Sequence, residues 1–393
     1  AQTRLKARLV IRGDQCGAFD KLTQLYTPVA QLDSFRVMCA CSAQHDLELC
    51  QIDFTTAFLN SDLPTSQVYC KQGPGRPVQL DDTGAPMVYA LSRSVYGLPF
   101  APKLWHQTLH TWLVGHGWIR SAHDPCAYTC RGVSMIVYVD DCAIMYDKTD
   151  ATASSTYKQF LTDLGKDFKF TGGGDLDHFL GYGITRDRAA KKLYLNQHAF
   201  IDRLLAMYDS DEFMPDSYVP ALTGNILGHN LCPDDSPAGL REREYMQRKQ
   251  YRALVGSLLW LQRGSRPDLS FVVGALGRVM HNPSRVHWAA AVLAMRYVRT
   301  TRNLQLTYSA QPSAALSISV DADFLPNYGD AYANWKSTTG FHAYLGGAAV
   351  SWVSRRQDVI ATSTPHSECL AAYDAVRTAV HLRGLMSDFG YKQ

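Results

Sequence analysis

The alternation of apolar and polar positions along the chain predicts a mixture of short strands and amphipathic helices. Apolar residues at 135–139 and 142–145 predict two buried strands, and the acidic residues between them, Asp140 and Asp141, must occupy the connection. The Pro- and Asp-rich stretch 209–240 is typical of a linker or loop. Helical periodicity appears over residues 32–43, 104–116, 197–207, 247–263, 268–281 and 286–300. The pattern therefore predicts a chain that contains both helices and strands.

The adjacent acidic residues Asp140 and Asp141 point to chemistry, because a tight turn does not need a second carboxylate that repels the first. A site that holds divalent cations against phosphate oxygens does need several ionised oxygen ligands close together. Asp53, at the end of a short mixed strand, offers a third carboxylate. It is also followed by Thr-Thr-Ala-Phe-Leu, an ordinary way to open a helix, so Asp53 could be a helix N-cap, and both interpretations can hold at once.

Eight segments follow one another in a recognisable order. A single one would be weak evidence, but chance does not supply the series. The segments are Lys-Ala-Arg-Leu-Val-Ile-Arg-Gly (6–13), Gln-Ile-Asp-Phe-Thr-Thr-Ala-Phe-Leu-Asn (51–60), Ser-Val-Tyr-Gly-Leu-Pro-Phe-Ala-Pro-Lys-Leu-Trp (94–105), Tyr-Val-Asp-Asp (138–141), Phe-Leu-Gly-Tyr-Gly-Ile (179–184), Val-Gly-Ser-Leu-Leu-Trp-Leu (255–261), Arg-Pro-Asp-Leu-Ser-Phe (266–271) and Leu-Gly-Gly-Ala-Ala-Val-Ser-Trp (345–352). With them the chain resembles the reverse transcriptase of copia-type LTR retrotransposons, which is carried in their Pol polyproteins.

The resemblance implies an α+β fold, a right-hand polymerase of fingers, palm and thumb followed by a helical connection and an incomplete RNase H-like α/β domain. It implies an RNA-directed DNA polymerase that uses two Mg²⁺ or Mn²⁺ ions, an RNA template, a DNA or RNA primer and dNTPs. Other Pol segments, integrase and protease, would be partners in cytoplasmic virus-like particles or the nucleus. The expected domains are fingers at 1–48, palm at 49–185, thumb and linker at 186–240, connection at 241–310 and partial RNase H-like domain at 311–393.

By the same resemblance Asp53 and Asp140 would be the bridging metal ligands, and Asp141 a weaker, flanking one. Phe58 would close against a ribose 2′-hydroxyl and select deoxynucleotides, although it could equally be a core aromatic. The basic residues Lys6, Arg8 and Arg12 line one face of a predicted strand. They would meet the incoming triphosphate and the template, or else form a solvated edge strand.

The chain departs from the family pattern at two positions of the polymerase. Phe100 stands where the family usually has a Gln beside the nucleotide, and Pro99 before it removes a backbone donor. Thr171 stands where the family usually has a Lys that could protonate pyrophosphate, and Lys169 lies two residues away. These departures leave open an alternative function, a catalytically impaired remnant that binds primer–template without extending it. A template-independent nuclease or transferase is a more distant one.

A third departure concerns the partial RNase H site, for which the resemblance assigns Asp321 and Glu368. Pro365 and His366 replace the usual Thr-Glu before the helix that carries Glu368. RNase H chemistry also needs carboxylates from segments beyond residue 393. We therefore expect negligible cleavage of the RNA strand, and a chain that is a piece of a larger polyprotein.

Composition agrees with this picture. A chain of 393 residues with 46% hydrophobic residues can bury two or three cores, and no apolar stretch approaches the roughly 20 residues of a membrane helix. We expect a soluble, non-secreted protein. Its net charge of +3 is low for a nucleic-acid binder, so the local distribution of charge matters more than the sum.

Cys126, Cys130 and His123 could suggest zinc, but a fourth ligand is not evident, and packing is the favoured interpretation.

Overall fold

A computed structural model describes residues 10–13, 25–63, 68–73, 77–208, 210, 212–222, 227–311, 315–324 and 335–391, and it has the predicted α+β character. The helices in these ranges are α1 Leu32–His45, α2 Ala101–Gly115, α3 Ala151–Asp167, α4 His198–Met207, α5 Pro237–Gln247, α6 Tyr251–Gly264, α7 Ser270–Arg278, α8 Arg285–Thr300 and α9 Thr364–Asp388. None of them is both long and apolar enough to cross a membrane.

The strands are short, as the apolar runs predict. They are β1 Glu48–Phe54, β2 Tyr69–Lys71, β3 Val88–Ala90, β4 Ile119–Arg120, β5 Ala127–Cys130, β6 Val133–Tyr138, β7 Asp141–Tyr146, β8 Phe170–Asp175, β9 His178–Phe179, β10 Tyr182–Asp187, β11 Lys192–Asn196, β12 Leu306–Ser309, β13 Ser317–Asp323, β14 Thr338–Leu345 and β15 Ala348–Arg356.

The chain divides into two compact units, one of residues 1–31 and 50–175, the other of residues 32–49 and 176–393. This grouping takes α1 out of the N-terminal region and packs it with later elements. The expected fingers, palm, thumb and RNase H-like boundaries stay predictions.

The first unit is built on a six-stranded sheet in the order β4-β5-β6-β7-β1-β8. Helices α2 and α3 share a hydrophobic core with one face of this sheet. Asp150 opens α3 by accepting the Thr152 and Ala153 backbone N–H groups, and Pro102 occupies the first turn of α2. Helix α2 therefore begins three residues before its predicted start.

The second unit contains a four-stranded sheet, β12-β11-β10-β9, and a three-stranded sheet, β13-β14-β15. Helices α6, α7 and α8 bury a shared hydrophobic core of aliphatic and aromatic side chains. Helix α5 was not predicted, and its first residues belong to the stretch assigned to a loop. Its sequence is largely polar, so it lacks the apolar period. The signals that mark its start are local: the Ser236 hydroxyl accepts the Gly239 N–H, and Pro237 follows.

A buried arginine connects α1 to the rest of the second unit. Arg36 is only 4% exposed, and its Nε donates to Val350 O of β15 at 2.7 Å. Its Nη1 donates to the carbonyl oxygens of Arg263 and Gly264 at the end of α6, at 2.9 and 3.1 Å. One guanidinium therefore satisfies the backbone of two other elements.

The remaining contacts of Arg36 complete this arrangement. Its Nη2 donates to the Asp33 carboxylate, whose second oxygen accepts the Ser351 hydroxyl at 2.6 Å. The guanidinium also lies 4.1 Å from the centre of the Trp352 ring. Removing the cation would leave a carboxylate and several buried carbonyl groups unpaired.

We expect Arg36→Met to destabilise the second unit by about 3–5 kcal/mol, because it removes one partner of a buried pair. The measurement is urea unfolding of the full chain followed by circular dichroism. Arg248→Met is the control, since Arg248 forms only an exposed pair with Glu244 and should change stability by less than about 0.5 kcal/mol. Equal effects of the two substitutions would contradict the assigned role of Arg36.

Candidate active site

The acidic pair lies at a tight hairpin. Strands β6 and β7 pair from Val133 with Tyr146 to Tyr138 with Asp141, so only Val139 and Asp140 form the loop. The predicted strand, turn and strand are confirmed. Asp141 is the first residue of β7 rather than part of the connection, because the two-residue loop closes the ladder one position earlier than expected.

The hairpin loop is strained and is held from two sides. Val139 has φ +58°, a left-handed conformation that costs a β-branched residue on the order of 1–3 kcal/mol. The indole N–H of Trp105, which is 1% exposed, donates to Val139 O at 2.6 Å. The Phe54 N–H donates to Asp140 O at 2.8 Å. Helix α2 and strand β1 thus fix the backbone that carries the carboxylates.

Asp53 lies in β1, which neighbours β7 in the sheet, and its side chain is exposed. The N-cap interpretation of Asp53 is wrong, because β1 continues to Phe54 and the following turn of 3-10 helix has Thr56 at its cap position. Asp53 pairs with Thr171 of β8. The structure therefore places Asp53 at the same end of the sheet as the hairpin loop.

Electrostatics shows that the three carboxylates share one environment. Burial, followed by the negative charges of Asp140 and Asp53, raises the pKa of Asp141 from 3.8 to about 6. The pKa of the buried Cys142 thiol is also raised, first by burial and then by the same carboxylates. The side chains of Asp140 and Asp141 form no hydrogen bond or ion pair with any residue that the structure describes. Their mutual repulsion is therefore not compensated by described protein groups.

In the described ranges, no three His, Cys, Asp or Glu side chains lie close enough together to hold a metal ion as they stand. In charge and ligand type, however, Asp53, Asp140 and Asp141 fit a divalent cation. They supply hard oxygen ligands, which Mg²⁺ and Mn²⁺ prefer. After burial, repulsion by Asp140 and Asp53 raises the pKa of Asp141, and a bound cation would cancel that repulsion.

Phe58 and Phe100, two predicted nucleotide-binding residues, lie in different surroundings. The half-buried ring of Phe58 meets the Tyr96 ring edge-on, with centroids 4.7 Å apart, and packs against the core. Phe100 immediately precedes α2 and caps it without a side-chain hydrogen bond. The Phe58 ring therefore has both a core contact and a partly exposed surface, which leaves its two interpretations open.

Of the basic residues predicted beside the nucleotide, Arg12 is described and is exposed, whereas Lys6 and Arg8 lie outside the described residues. Next to Arg12, the Ile11 N–H donates to Tyr96 O at 2.9 Å. A Cβ atom added to Gly97, which has φ +94°, would lie 1.9 Å from Ile11 O. The backbone that carries Arg12 therefore lies close to Tyr96, whose ring contacts Phe58. This close approach requires a glycine at position 97.

Thr171, which stands where the family usually has a Lys, and nearby Lys169 are both described. Thr171 pairs directly with Asp53, so the two side chains share one face of the sheet. Lys169 lies outside β8, and its carbonyl accepts the Thr55 N–H at 2.8 Å. The hydroxyl, not the ammonium, is therefore the cross-strand neighbour of Asp53.

Asp321 and Glu368, assigned to a partial RNase H site, are not brought together. Ala322 pairs with Thr339, and the Gln357 side chain joins Thr339 to the backbone of α9. That face of the three-stranded sheet is therefore the one beside α9, which carries Glu368. Asp321 points to the opposite face because side chains alternate along a strand. Their shared role stays a prediction that this placement does not support.

The thiols considered as zinc ligands are packed into the first unit. Cys126 and Cys130 are both buried, and burial is the first cause that raises the pKa of Cys126 to about 12. The Cys130 side chain belongs to the core shared with α2 and α3. Both residues contribute to packing.

Comparisons with known proteins agree with the motif order. A family model described as reverse transcriptase (RNA-dependent DNA polymerase) matches residues 1–221. Over 99% of its length the chain is 31% identical to the retrovirus-related Pol polyprotein from transposon TNT 1-94 of Nicotiana tabacum, of which it covers 28%. Over 98% of its length it is 29% identical to the retrovirus-related Pol polyprotein from transposon RE2 of Arabidopsis thaliana, of which it covers 25%.

The chain has an α+β fold in which Asp53, Asp140 and Asp141 lie at one end of the six-stranded sheet. The chain belongs to the reverse transcriptase (RNA-dependent DNA polymerase) family. Its predicted similarity to Pol polyproteins of copia-type transposons is confirmed. The chain spans about a quarter of the length of these two polyproteins.

No local sequence pattern predicts a role for Trp105, although the residue ends one of the quoted motifs. We expect Trp105→Phe to destabilise the chain by about 1–3 kcal/mol more than Trp118→Phe, because only the former leaves the Val139 carbonyl without its donor. Trp118 is a matched control, since it is buried in the same core. Urea unfolding midpoints measure the difference, and similar midpoints would show that the indole bond contributes little.

The raised pKa of Asp141 predicts a pH dependence of stability. Because the folded pKa of about 6 exceeds the ordinary value of 3.8, the protonated carboxyl favours folding at low pH, and this contribution is lost as pH rises through 6. Asp141→Asn should therefore raise the melting temperature at pH 7.5 but not at pH 4.

Asp147→Asn is the control of opposite sign. Hydrogen bonds from Thr149 lower the pKa of Asp147, so its ionised form favours folding at neutral pH. We expect this variant to melt slightly lower than the wild type at pH 7.5. A stabilisation by both substitutions would point to a general charge effect instead.

Proposed function

We propose that the chain is an RNA-directed DNA polymerase that adds deoxynucleotides to a primer 3′-hydroxyl. The observation that carries this proposal is the cluster of Asp53, Asp140 and Asp141 at adjacent strand ends, in a chain of the reverse transcriptase family. An RNA template, a DNA or RNA primer and dNTPs would be its substrates. Other Pol segments would accompany it, in cytoplasmic particles or the nucleus.

The reaction is attack of the primer 3′-oxygen on the α-phosphorus of a dNTP, with pyrophosphate leaving. Two divalent cations, Mg²⁺ or Mn²⁺, would lower the pKa of the hydroxyl and stabilise the leaving group. Asp53 and Asp140 would hold both ions. Asp141, whose pKa is raised by burial and by the two neighbouring carboxylates, would be the weaker, flanking ligand.

The surrounding residues would position the nucleotide. Phe58, half-buried against Tyr96, would present its ring to the sugar and exclude a 2′-hydroxyl. Arg12, on the segment beside Tyr96, would meet the triphosphate. Phe100 cannot donate a hydrogen bond to the nucleotide, and Thr171 replaces a general acid near Asp53. Affinity for dNTPs is therefore expected to be low.

We assign a right-hand polymerase architecture to this function. Fingers would occupy 1–48, the palm 49–185, the thumb and linker 186–240 and the helical connection 241–310. The three-stranded sheet and α9 would belong to an RNase H-like domain at 311–393. Because Asp321 and α9 lie on opposite sides of that sheet, we expect no RNA-strand cleavage from this chain.

The alternative is a remnant that binds primer–template without extending it. Phe100 and Thr171 favour this alternative, as does the spacing of the acidic side chains, which in the described ranges nowhere form a group of three close enough for a metal ion. Retention of all three carboxylates favours the enzyme.

Primer extension on an RNA template with dNTPs and either Mg²⁺ or Mn²⁺ tests the proposal. We expect extension by the wild type and its loss in Asp140→Asn, with folding nearly intact because the substitution relieves repulsion. Asp82→Asn is the matched control, since Asp82 is an exposed carboxylate of the first unit outside the cluster.

The outcomes separate the two functions. If folded wild type binds primer–template but does not extend it, the remnant is correct. If Asp140→Asn extends as well as the wild type, the carboxylate assignment is wrong.

A further inference from the structure

A row of basic side chains lies on the flank of α2. Lys103, His106 and His110 follow helical spacing of three and four residues, and Arg120 lies on the neighbouring strand β4. We call these four residues the basic row. The sequence of α2 contains no Asp or Glu. The row is thus a concentration of positive and titratable groups on a helix without acidic residues.

Ring contacts and strand pairing bring the two histidines and Arg120 together, and Lys103 joins them through helical spacing. The rings of His106 and His110 are parallel within 5°, with centroids 6.3 Å apart. His110 Nδ1 lies 3.1 Å from the hydroxyl oxygen of Tyr128 on β5, which fixes the imidazole orientation. Arg120 pairs with Tyr128 across the β4–β5 ladder, so both side chains leave the same face of the sheet. The row is therefore one surface.

The positive charge of this surface is not neutralised by described residues. Lys103 and Arg120 form no side-chain hydrogen bond or ion pair within the described ranges. The carboxylate nearest in the chain, Asp124, is fully buried, and it accepts the N–H groups of Gln31 and Cys126. A bound anion can therefore pair with Lys103 and Arg120 without displacing a described partner.

The pKa values of His106 and His110 reflect their burial and this positive charge. Burial lowers the pKa of His106, and the neighbouring His110 and Arg120 lower it further. Burial and Arg120 lower the pKa of His110. The other titratable groups on this side are Lys103 on the same helix and Tyr128, Cys126 and buried Asp124 behind it. An anion bound at the row would favour the protonated imidazoles and raise both pKa values.

We propose that the basic row binds the backbone phosphates of a nucleic acid, at a surface distinct from the carboxylate cluster. From Lys103 to His110 the helix rises about 10 Å. A duplex strand carries one phosphate charge about every 3.4 Å of helix axis, so the row is long enough to meet more than one phosphate. The choice of nucleic acid as the partner rests on the proposed polymerase function. Affinity rises as pH falls, because the imidazoles gain charge.

Salt dependence of binding tests the proposal. The full chain is titrated onto a fluorescent 20-nucleotide single-stranded DNA in EDTA, and anisotropy is measured at several salt concentrations. Each single-strand phosphate contact adds about 0.7 to the slope of log affinity against log salt. We expect the double variant Lys103→Gln/Arg120→Gln to lower this slope by about 1.4.

The matched control is Lys158→Gln/Lys192→Gln, which removes the same charge from two exposed lysines outside the row. It should leave the slope unchanged. Equal slopes for the wild type and the row variant, or equal losses in both variants, would overturn the proposal.

Inorganic phosphate is the second probe. In NMR of ¹³C-labelled histidines, phosphate should raise the pKa of His106 and His110 in the wild type and not in the row variant. No phosphate-dependent change, or the same change in both proteins, would also overturn the proposal. Primer extension is scored separately, so a polymerase that fails while the row still sets the salt slope would refute only the proposed catalytic function.

Discussion

The repulsion among Asp53, Asp140 and Asp141 is the constraint on which the arrangement of the first unit depends. Three carboxylates can stay close only if the backbone that carries them cannot relax, and here that backbone is held by neighbours. Trp105 and Phe54 donate to the carbonyl groups of Val139 and Asp140. The left-handed conformation of Val139 shows that the surrounding sheet and helix impose the loop geometry rather than follow it.

Helix α2 connects this constraint to the rest of the unit. Its buried side supplies the Trp105 donor, and its flank carries the basic row. The segment that leads into it contains Gly97, against which Ile11 packs so closely that no side chain fits. The substitutions Pro99 and Phe100 fall between that contact and the helix. They change side chains that the resemblance places beside a nucleotide, whereas the glycine and the helix start are kept.

The sequence predicted those features whose causes are local. Asp140 breaks an apolar run, and the hairpin follows. Helix α5 was not predicted because its residues are largely polar and show no apolar periodicity. The role of Asp53 was ambiguous because the Thr-Thr that follows it is compatible with a helix cap and with a strand end. The bond between Trp105 and Val139 joins residues 34 positions apart, which no local pattern encodes. The alternation of side chains along β13 determines the face of the sheet on which Asp321 lies. Tertiary packing determines which face α9 covers, and the local sequence does not predict it.

The retained carboxylates weigh against a purely structural role for the site. Because burial and its acidic neighbours raise the pKa of Asp141, the ionised cluster lowers the stability of the folded chain at neutral pH. A neutral side chain at any of the three positions would relieve that repulsion, and the hairpin would still close through backbone pairing. A protein that only binds primer–template gains nothing from this cost. A cation bound between the carboxylates would offset it, so the cluster makes physical sense in a chain that uses such ions.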